Sequence, residues 1–184
     1  MELPHFKYHP DPITTEVICA SHMECACCGQ TRDYIYTGPV YAERDLSNCL
    51  CPWCIADGTA HQKFDARFVD PDVIGGYGGW DTVSKQVVEE VSCCTPGFSG
   101  WQQEMWWTHC ADAAEFVGVA GYTELQQHGE EAVQFMREVF SRETNLQGQE
   151  LDDHFKAFDR NSGPSAYVFC CRHCRKLGGY WDCH

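Results

Sequence analysis

Apolar residues recur at three- and four-residue spacing in several segments of the chain, which places them on one face of a helix. The clearest cases are residues 81–91, 130–141 and 149–158. Asp81 and Pro96 are the start and stop signals of the first of these helices. Asp57 or Thr59 can cap a short helix within residues 55–64, and Thr123 with Gln126 is a candidate capping box that opens another short helix.

Strands are predicted where aromatic and β-branched residues lie next to turn residues. Residues 33–42 surround Gly38-Pro39 and predict a short hairpin, whereas 165–169 and 177–181 predict a strand and its return strand. Residues 118–122 are interpreted as a connection. Together these segments predict an α+β protein.

The length of 184 residues predicts one domain, 1–184, with four parts. Three prolines near the start fix the backbone and disfavour helix, which predicts an extended arm. The parts are the arm (1–24), an N-terminal zinc lobe (25–65), a mostly helical body (66–160) and a C-terminal knuckle (161–184). The predicted architecture is a small treble-clef or zinc-ribbon lobe joined to an α/β body, with a zinc-knuckle hairpin at the C-terminal end.

The composition predicts a folded cytoplasmic protein. Hydrophobic residues make up 43% of the chain and aromatic residues 13%, enough for a core. No signal peptide is recognised, and no apolar stretch approaches the roughly 18 residues of a membrane span. Fourteen cysteines without an export signal favour metal binding in a reducing compartment over disulfides.

The formal net charge of −14 argues against binding to nucleic acid, because phosphate backbones are repelled. Each zinc ion bound by four thiolates would add about −2. Lysine and arginine total only 13 and are scattered along the sequence, which leaves a local basic patch as the one alternative.

Two Cys-x-x-Cys knuckles predict a structural zinc site. Cys25 and Cys28 form the first knuckle, Cys51 and Cys54 the second, and four thiolates suffice for a closed tetrahedral site. A knuckle, a hairpin and a knuckle leading into a helix is the order of a treble-clef finger, with a plain zinc ribbon as the rival. Neighbouring Cys27 and Cys49 are interpreted as small buried hydrophobic residues.

A third knuckle, Cys171 with Cys174, predicts a second metal site. The preferred set adds Cys94 and Cys110. An alternative of three thiolates with Asp112 or water would leave an open, catalytic position. Free thiols or a redox pair are further alternatives. The other potential ligands in the chain are Cys93, His109, Cys183 and His184.

Three tryptophans, Trp101, Trp106 and Trp107, lie within seven residues and are costly to expose together. One interpretation is a helix driven into the core. The other is an aromatic pocket with polar contacts from neighbouring side chains. The candidate ligand-binding residues are Trp101, Gln102, Glu104 and Trp106.

Several motifs together resemble the CbrC family of bacterial proteins. They are Pro4-His5-Phe6-Lys7-Tyr8-His9-Pro10-Asp11-Pro12, Cys25-x-x-Cys28-Gly29, Tyr36-Thr37-Gly38-Pro39-Val40-Tyr41, Cys51-Pro52-Trp53-Cys54-Ile55-Ala56-Asp57-Gly58, the block from Thr95-Pro96-Gly97-Phe98 to Trp106, and Cys171-x-x-Cys174. The resemblance implies a cytosolic, zinc-binding bacterial protein linked to colicin tolerance. It carries over no reaction and no catalytic residues.

Two functions fit these features. The first is a zinc-stabilised module that binds a protein or small molecule through its acidic surface and aromatic segment. The second is a zinc-dependent enzyme of hydrolase type, with an open metal position near Cys110, Cys171 and Cys174 and with Glu104 or Asp112 as general base. The chain contains no His-Glu-x-x-His motif, and the binding module is preferred.

Overall fold

The structure is a computed structural model that describes residues 2–184. It contains short strands and helices in mixed order. The strands are β1 (Ile18–Ala20), β2 (Tyr34–Tyr36), β3 (Thr108–His109), β4 (Asp112–Ala113), β5 (Glu115–Ala120), β6 (Ser165–Cys170) and β7 (Leu177–Asp182). The helices are α1 (Pro52–Ala56), α2 (Thr59–Phe64), α3 (Lys85–Cys94), α4 (Tyr122–Gln127), α5 (Glu130–Thr144) and α6 (Gly148–Lys156), with 3₁₀ turns at Pro71–Val73 and Gly76–Gly78.

A three-stranded antiparallel sheet, in the order β5-β6-β7, lies at the centre. Every residue of β6 is buried, and alternate side chains enter different hydrophobic clusters. Tyr167 and Phe169 belong to one cluster, Ala166 and Val168 to the other. Since successive side chains of a strand point to opposite faces, both faces of the sheet are covered.

Helices α4, α5 and α6 cover one face of this sheet. Their buried residues repeat at helical spacing, with Met136 and Phe140 on α5 and Leu151 and Phe155 on α6. Phe140 packs edge-on against Trp181 of β7, with ring centroids 4.9 Å apart. The helices predicted from the amphipathic pattern of residues 130–141 and 149–158 are confirmed as α5 and α6.

The other face of the sheet packs on an aromatic cluster that continues into the N-terminal lobe. Phe98 stacks on Phe116 at 3.9 Å between ring centroids and meets Phe169 edge-on. The Gly97 amide donates to the Tyr36 hydroxyl, which ties this cluster to β2. One continuous apolar core thus joins the lobe to the sheet.

The α+β fold class is confirmed, but two local predictions were wrong. Residues 118–122 are not a simple connection, because β5 runs through Gly118 to Ala120 and pairs with β6. Residues 33–42 do not form a hairpin: β2 pairs with β1, and Tyr41 pairs instead with Arg67. The arm therefore contributes a strand to the lobe.

Helix starts also differ from the sequence signals. Ser84, and not Asp81, accepts the capping hydrogen bond of α3, from the Val87 amide. The Asp81 carbonyl accepts from Thr108, which holds it outside the helix. At α4 the Glu124 carboxylate accepts from the Gly121 amide, so the capping residue lies two positions before Thr123.

None of the helices in the described part of the chain combines the length and the apolar character that crossing a bilayer requires.

Candidate metal centres

The first cluster comprises Cys25, Cys28, Cys51 and Cys54, whose sulfur atoms all lie within 4.8 Å of one another. Cys25 and Cys28 sit in a tight turn, where Gly29 adopts a positive φ of 67° and its amide donates to the Cys25 carbonyl. Cys51 caps α1, and Cys54 lies in the first turn of that helix. Local turn geometry at both knuckles therefore directs four thiols to one point.

The spacing of these sulfurs fits a tetrahedral metal site. The Sγ atoms of Cys25 and Cys54 are 3.9 Å apart, those of Cys28 and Cys51 3.9 Å, and those of Cys51 and Cys54 3.6 Å. A tetrahedron with metal–sulfur bonds of about 2.3 Å has edges of about 3.8 Å. A disulfide would need about 2.05 Å. The four sulfurs thus match the corners of a closed metal site.

The pKa values of the cysteines in the first cluster also favour the binding of a cation. A hydrogen bond from the Cys51 thiol lowers the pKa of Cys25 to about 4, helped by backbone N–H groups of the knuckles. The hydrogen bond to Cys25 raises the pKa of Cys51, and burial raises that of Cys54. Protons alone therefore leave a Cys25 thiolate beside the protonated thiols of Cys51 and Cys54, whereas a divalent cation stabilises its cysteine ligands as thiolates.

The second cluster comprises His109, Cys110, Cys171 and Cys174, again with donor atoms within 4.8 Å of one another. His109 and Cys110 form the tip of the β3–β4 hairpin, where Cys110 has a φ of 57°. Cys171 and Cys174 form the turn between β6 and β7. The site therefore fastens the small hairpin to the central sheet.

The distances in the second cluster fit three sulfurs and one nitrogen. Nδ1 of His109 lies 3.2 Å from Sγ of Cys110 and 3.5 Å from Sγ of Cys174. With metal–sulfur bonds of about 2.3 Å and metal–nitrogen bonds of about 2.05 Å, the tetrahedral edge is about 3.5 Å. Burial would raise the pKa of Cys171, but hydrogen bonds from the Cys174 amide and from His109 outweigh it and give about 6.

A buried carboxylate lies beside this second cluster. Asp112 accepts hydrogen bonds from the Tyr8 hydroxyl at 2.8 Å and from Arg172 at 2.9 Å, and it lies 3.0 Å from Nε2 of His173. Burial would raise the pKa of Asp112, yet these hydrogen bonds lower it below its usual value. Arg172 and His173 lie between Cys171 and Cys174, so Asp112 positions the knuckle.

The chain is similar in sequence to known proteins over nearly its whole length. The family model described as "Uncharacterised protein family (UPF0167)" matches residues 3–183. The chain belongs to the UPF0167 family. It is 43% identical over 181 residues to UPF0167 protein Mb2317 of Mycobacterium bovis, covering 98% of this chain and 94% of the relative.

A second UPF0167 relative, protein PA1536 of Pseudomonas aeruginosa, is 40% identical over 173 residues, covering 94% of this chain and 92% of the relative. No solved structure matches the chain. The likeness to UPF0167 proteins therefore extends through both cysteine clusters.

The structure of this UPF0167 chain brings together seven of the eight predicted metal-binding cysteines. Cys94 is the exception: it ends α3, and its Sγ lies against Gly58 in the turn between α1 and α2. His109 occupies the fourth position of the second cluster. The strands β3 and β4 of this hairpin place His109 next to Cys110 at its tip. Each strand has only two residues, so the sequence shows no alternating pattern from which the hairpin could be predicted.

The predicted ligand-binding residues do not form one pocket in this UPF0167 chain. Trp106 is fully buried against Phe98, so it belongs to the core, although its segment is not the helix that one interpretation assumed. Glu104 is buried and accepts a hydrogen bond from Tyr41. Trp101 donates to Ser165.

Trp101 does line a small cavity of about 230 Å³ beside Arg160 and Tyr167. Gln102 lies outside it and is held by Asp182 and Cys183 at the end of β7. The four predicted ligand-binding side chains thus contact separate parts of the fold and do not line one pocket.

The remaining cysteines next to the knuckles behave as apolar groups. Burial raises the pKa of Cys27, Cys49 and Cys170, which keeps all three as thiols. Cys27 is buried, as expected, whereas Cys49 is only partly buried.

Proposed function

We propose that this protein is a zinc-stabilised binding module, in which zinc at both clusters holds the surfaces that recognise a protein or small-molecule partner. The observation that carries the proposal is the pair of four-donor sets with tetrahedral spacing, four sulfurs in one and three sulfurs with one imidazole in the other. Both donor sets are typical of structural zinc.

In this proposal Cys25, Cys28, Cys51 and Cys54 hold the first zinc, and the N-terminal lobe is a treble clef in which α1 begins at the second knuckle. His109, Cys110, Cys171 and Cys174 hold the second. Zinc would supply folding free energy at each site, because it binds loops that have few other constraints. A set with four protein donors leaves no position for a reacting water, which favours structural over catalytic metal.

We further propose a reducing, cytoplasmic location, since all fourteen cysteines are free thiols and none forms a disulfide within residues 2–184. The resemblance to the CbrC family adds a link to colicin tolerance as part of the proposal. The acidic chain is not expected to bind nucleic acid.

A metal-dependent hydrolase is the second candidate, and one observation favours it. Cys110 and Cys174 are exposed, so solvent reaches the second cluster, and the ionised Asp112 lies nearby. Catalysis would require one of the four donors to leave and water to take its place. Asp112 is engaged by Tyr8, Arg172 and His173, which restrains it from acting as a general base.

Zinc content combined with X-ray absorption spectroscopy tests the proposal. We expect about two zinc ions per chain, with an average first shell of sulfur and a minor nitrogen contribution. His109→Ala should reduce the zinc content and remove the nitrogen signal. An oxygen ligand in the unaltered protein would support the hydrolase, and folded protein free of zinc would contradict both candidates.

A further inference from the structure

Four of the seven basic side chains that lack an acidic partner in residues 2–184 lie in one region of this acidic protein. Most other cations lie in ion pairs: Lys7, Arg137, Arg142, Arg160, Arg172 and Arg175 each have a carboxylate oxygen within 4.0 Å. In residues 2–184, seven basic side chains have no such partner: Arg32, Lys156 and Lys176, which line neither of the two cavities described next, and a group of four, Arg44, Lys63, Arg67 and Lys85. All four line two cavities that adjoin at Arg67.

The larger cavity has a volume of about 730 Å³, within the range of small-molecule sites. One wall comes from residues 41–44 and the other from α2 and Arg67. Reciprocal backbone hydrogen bonds of 2.8 and 2.9 Å join Tyr41 to Arg67 and fix the two walls together. These hydrogen bonds fix the backbone of the cavity walls, whereas the basic side chains of the cavity are exposed to solvent.

Two basic side chains of this cavity lie close to the ring of Phe64. The Lys63 ammonium lies 5.1 Å and the Arg44 guanidinium 5.8 Å from the centroid of its ring. Tyr41, with 40% of its surface exposed, lines the same cavity. An aromatic group and positive charge therefore occur side by side.

We propose that this cavity binds a small aromatic anion, whose phosphate or carboxylate group is held by Arg44 and Arg67 and whose ring lies against Phe64 and Tyr41. Guanidinium groups suit both anions because they donate in pairs to planar or tetrahedral oxygens. Glu43 and Asp65 also line the cavity. These carboxylates and the net charge of −14 disfavour extended polyanions, which limits the ligand to a compact one.

This inference deepens the proposed function and rests on it, because the first metal cluster supports one wall. The Lys63 ammonium donates to the Cys27 carbonyl at 2.6 Å, which connects α2 to the first knuckle. A rival explanation is that Lys63 and Arg44 only offset the thiolate charge of that cluster. Arg67 separates the two explanations, since it belongs to the cavity and has no hydrogen bond or ion pair with a residue of either knuckle among those that the structure records.

Titration of the isotopically labelled full chain with phenyl phosphate, benzoate and inorganic phosphate, followed by NMR, tests the proposal. We expect phenyl phosphate or benzoate to shift the amides of residues 41–44 and 62–67 in a saturable way, and the stronger of the two identifies the anionic group. Arg67→Gln and Arg44→Gln should each weaken that binding by roughly tenfold.

Lys156→Gln is the matched control, because it removes one positive charge from α6, outside the cavity, and Lys156 has no ion pair within the described chain. Equal weakening in this variant would show that the effect comes from overall charge and would overturn the proposal, as would inorganic phosphate binding as tightly as the stronger of the two aromatic anions. Zinc content is measured in every variant. Absent binding with zinc retained overturns this inference alone, whereas absent zinc overturns the proposed function.

Discussion

His9 is buried and stays neutral in the folded chain. Its Nδ1 lies 2.7 Å from the Pro96 carbonyl oxygen, and its Nε2 lies 2.6 Å from the hydroxyl of Thr15. The ring meets Phe116 edge-on at 5.1 Å. Burial lowers the pKa of His9 to about 4, because an imidazolium would lose its hydration there.

This burial predicts a loss of stability in mild acid. The unfolded chain takes up a proton near the ordinary pKa of 6.5 and the folded chain only near 4, so the contribution of His9 is complete above pH 6.5 and falls as the pH drops toward 4. At pH 5 the loss is about 2 kcal/mol. Urea unfolding of the unaltered protein and of His9→Gln, at pH 7 and pH 5, measures it.

The free-energy difference between the two proteins should shrink by that amount on acidification, because glutamine does not titrate. Comparing the two removes contributions common to both, such as proton competition for the metal ligands. Parallel pH dependence in the two proteins would contradict the assignment to His9.

At the scale of the elements, the two candidate metal sites differ in exposure. In the first cluster Cys25, Cys51 and Cys54 are buried, and the last two lie at the start of α1. In the second only Cys171 is buried, and the hairpin tip with Cys110 faces solvent. A competing ligand can reach the second cluster without opening the core.

A chelator should therefore remove the two metals at different rates. We expect biphasic zinc release to a colorimetric chelator in excess, with about one equivalent in each phase, the faster from the second cluster. Cys174→Ser should abolish the fast phase and leave the slow one. A single phase that releases both ions, or a fast phase that survives in Cys174→Ser, would show that exposure does not control release.

The sequence was informative for elements whose signal is local. The knuckles, α5 and β6 follow from cysteine spacing, from the helical period, and from aromatic and β-branched residues beside a turn. β5 was missed because Gly118, with a φ of 149°, lies within it, beside a break in its register with β6. His109 was one of several possible ligands, and only the pairing of β3 with β4 brings it to the cluster.

Across the whole molecule, the first cluster and the central sheet share one core. Tyr36 of β2 packs edge-on against Phe68 at 5.4 Å, and its hydroxyl accepts from the Gly97 amide, next to the Phe98 ring that packs on Phe169. Side chains from distant parts of the chain meet here, which is why local sequence patterns did not predict whether the tryptophans line a pocket. Trp106 belongs to this core.

Loss of the first metal should consequently destabilise more than the N-terminal lobe. In Cys54→Ser we expect hydrogen exchange to accelerate both in α1 and in β6, because they share the apolar core. Cys27→Ser is the matched control: it alters a thiol in the same knuckle that is not among the clustered donors. Unchanged protection of β6 in a zinc-depleted Cys54→Ser would show that the lobe unfolds independently.

The hydrogen bond from Tyr8 to Asp112 spans 104 positions in the sequence and reaches the carboxylate that holds the second knuckle. Tyr8 therefore helps to hold a site that lies far away from it in the sequence. Trimming the first ten residues, or crowding them with an affinity tag, should disturb Cys171–Cys174 chemistry even though every metal-binding side chain is intact. An affinity tag for purification is therefore better placed away from Tyr8, so that its hydrogen bond to Asp112 is kept.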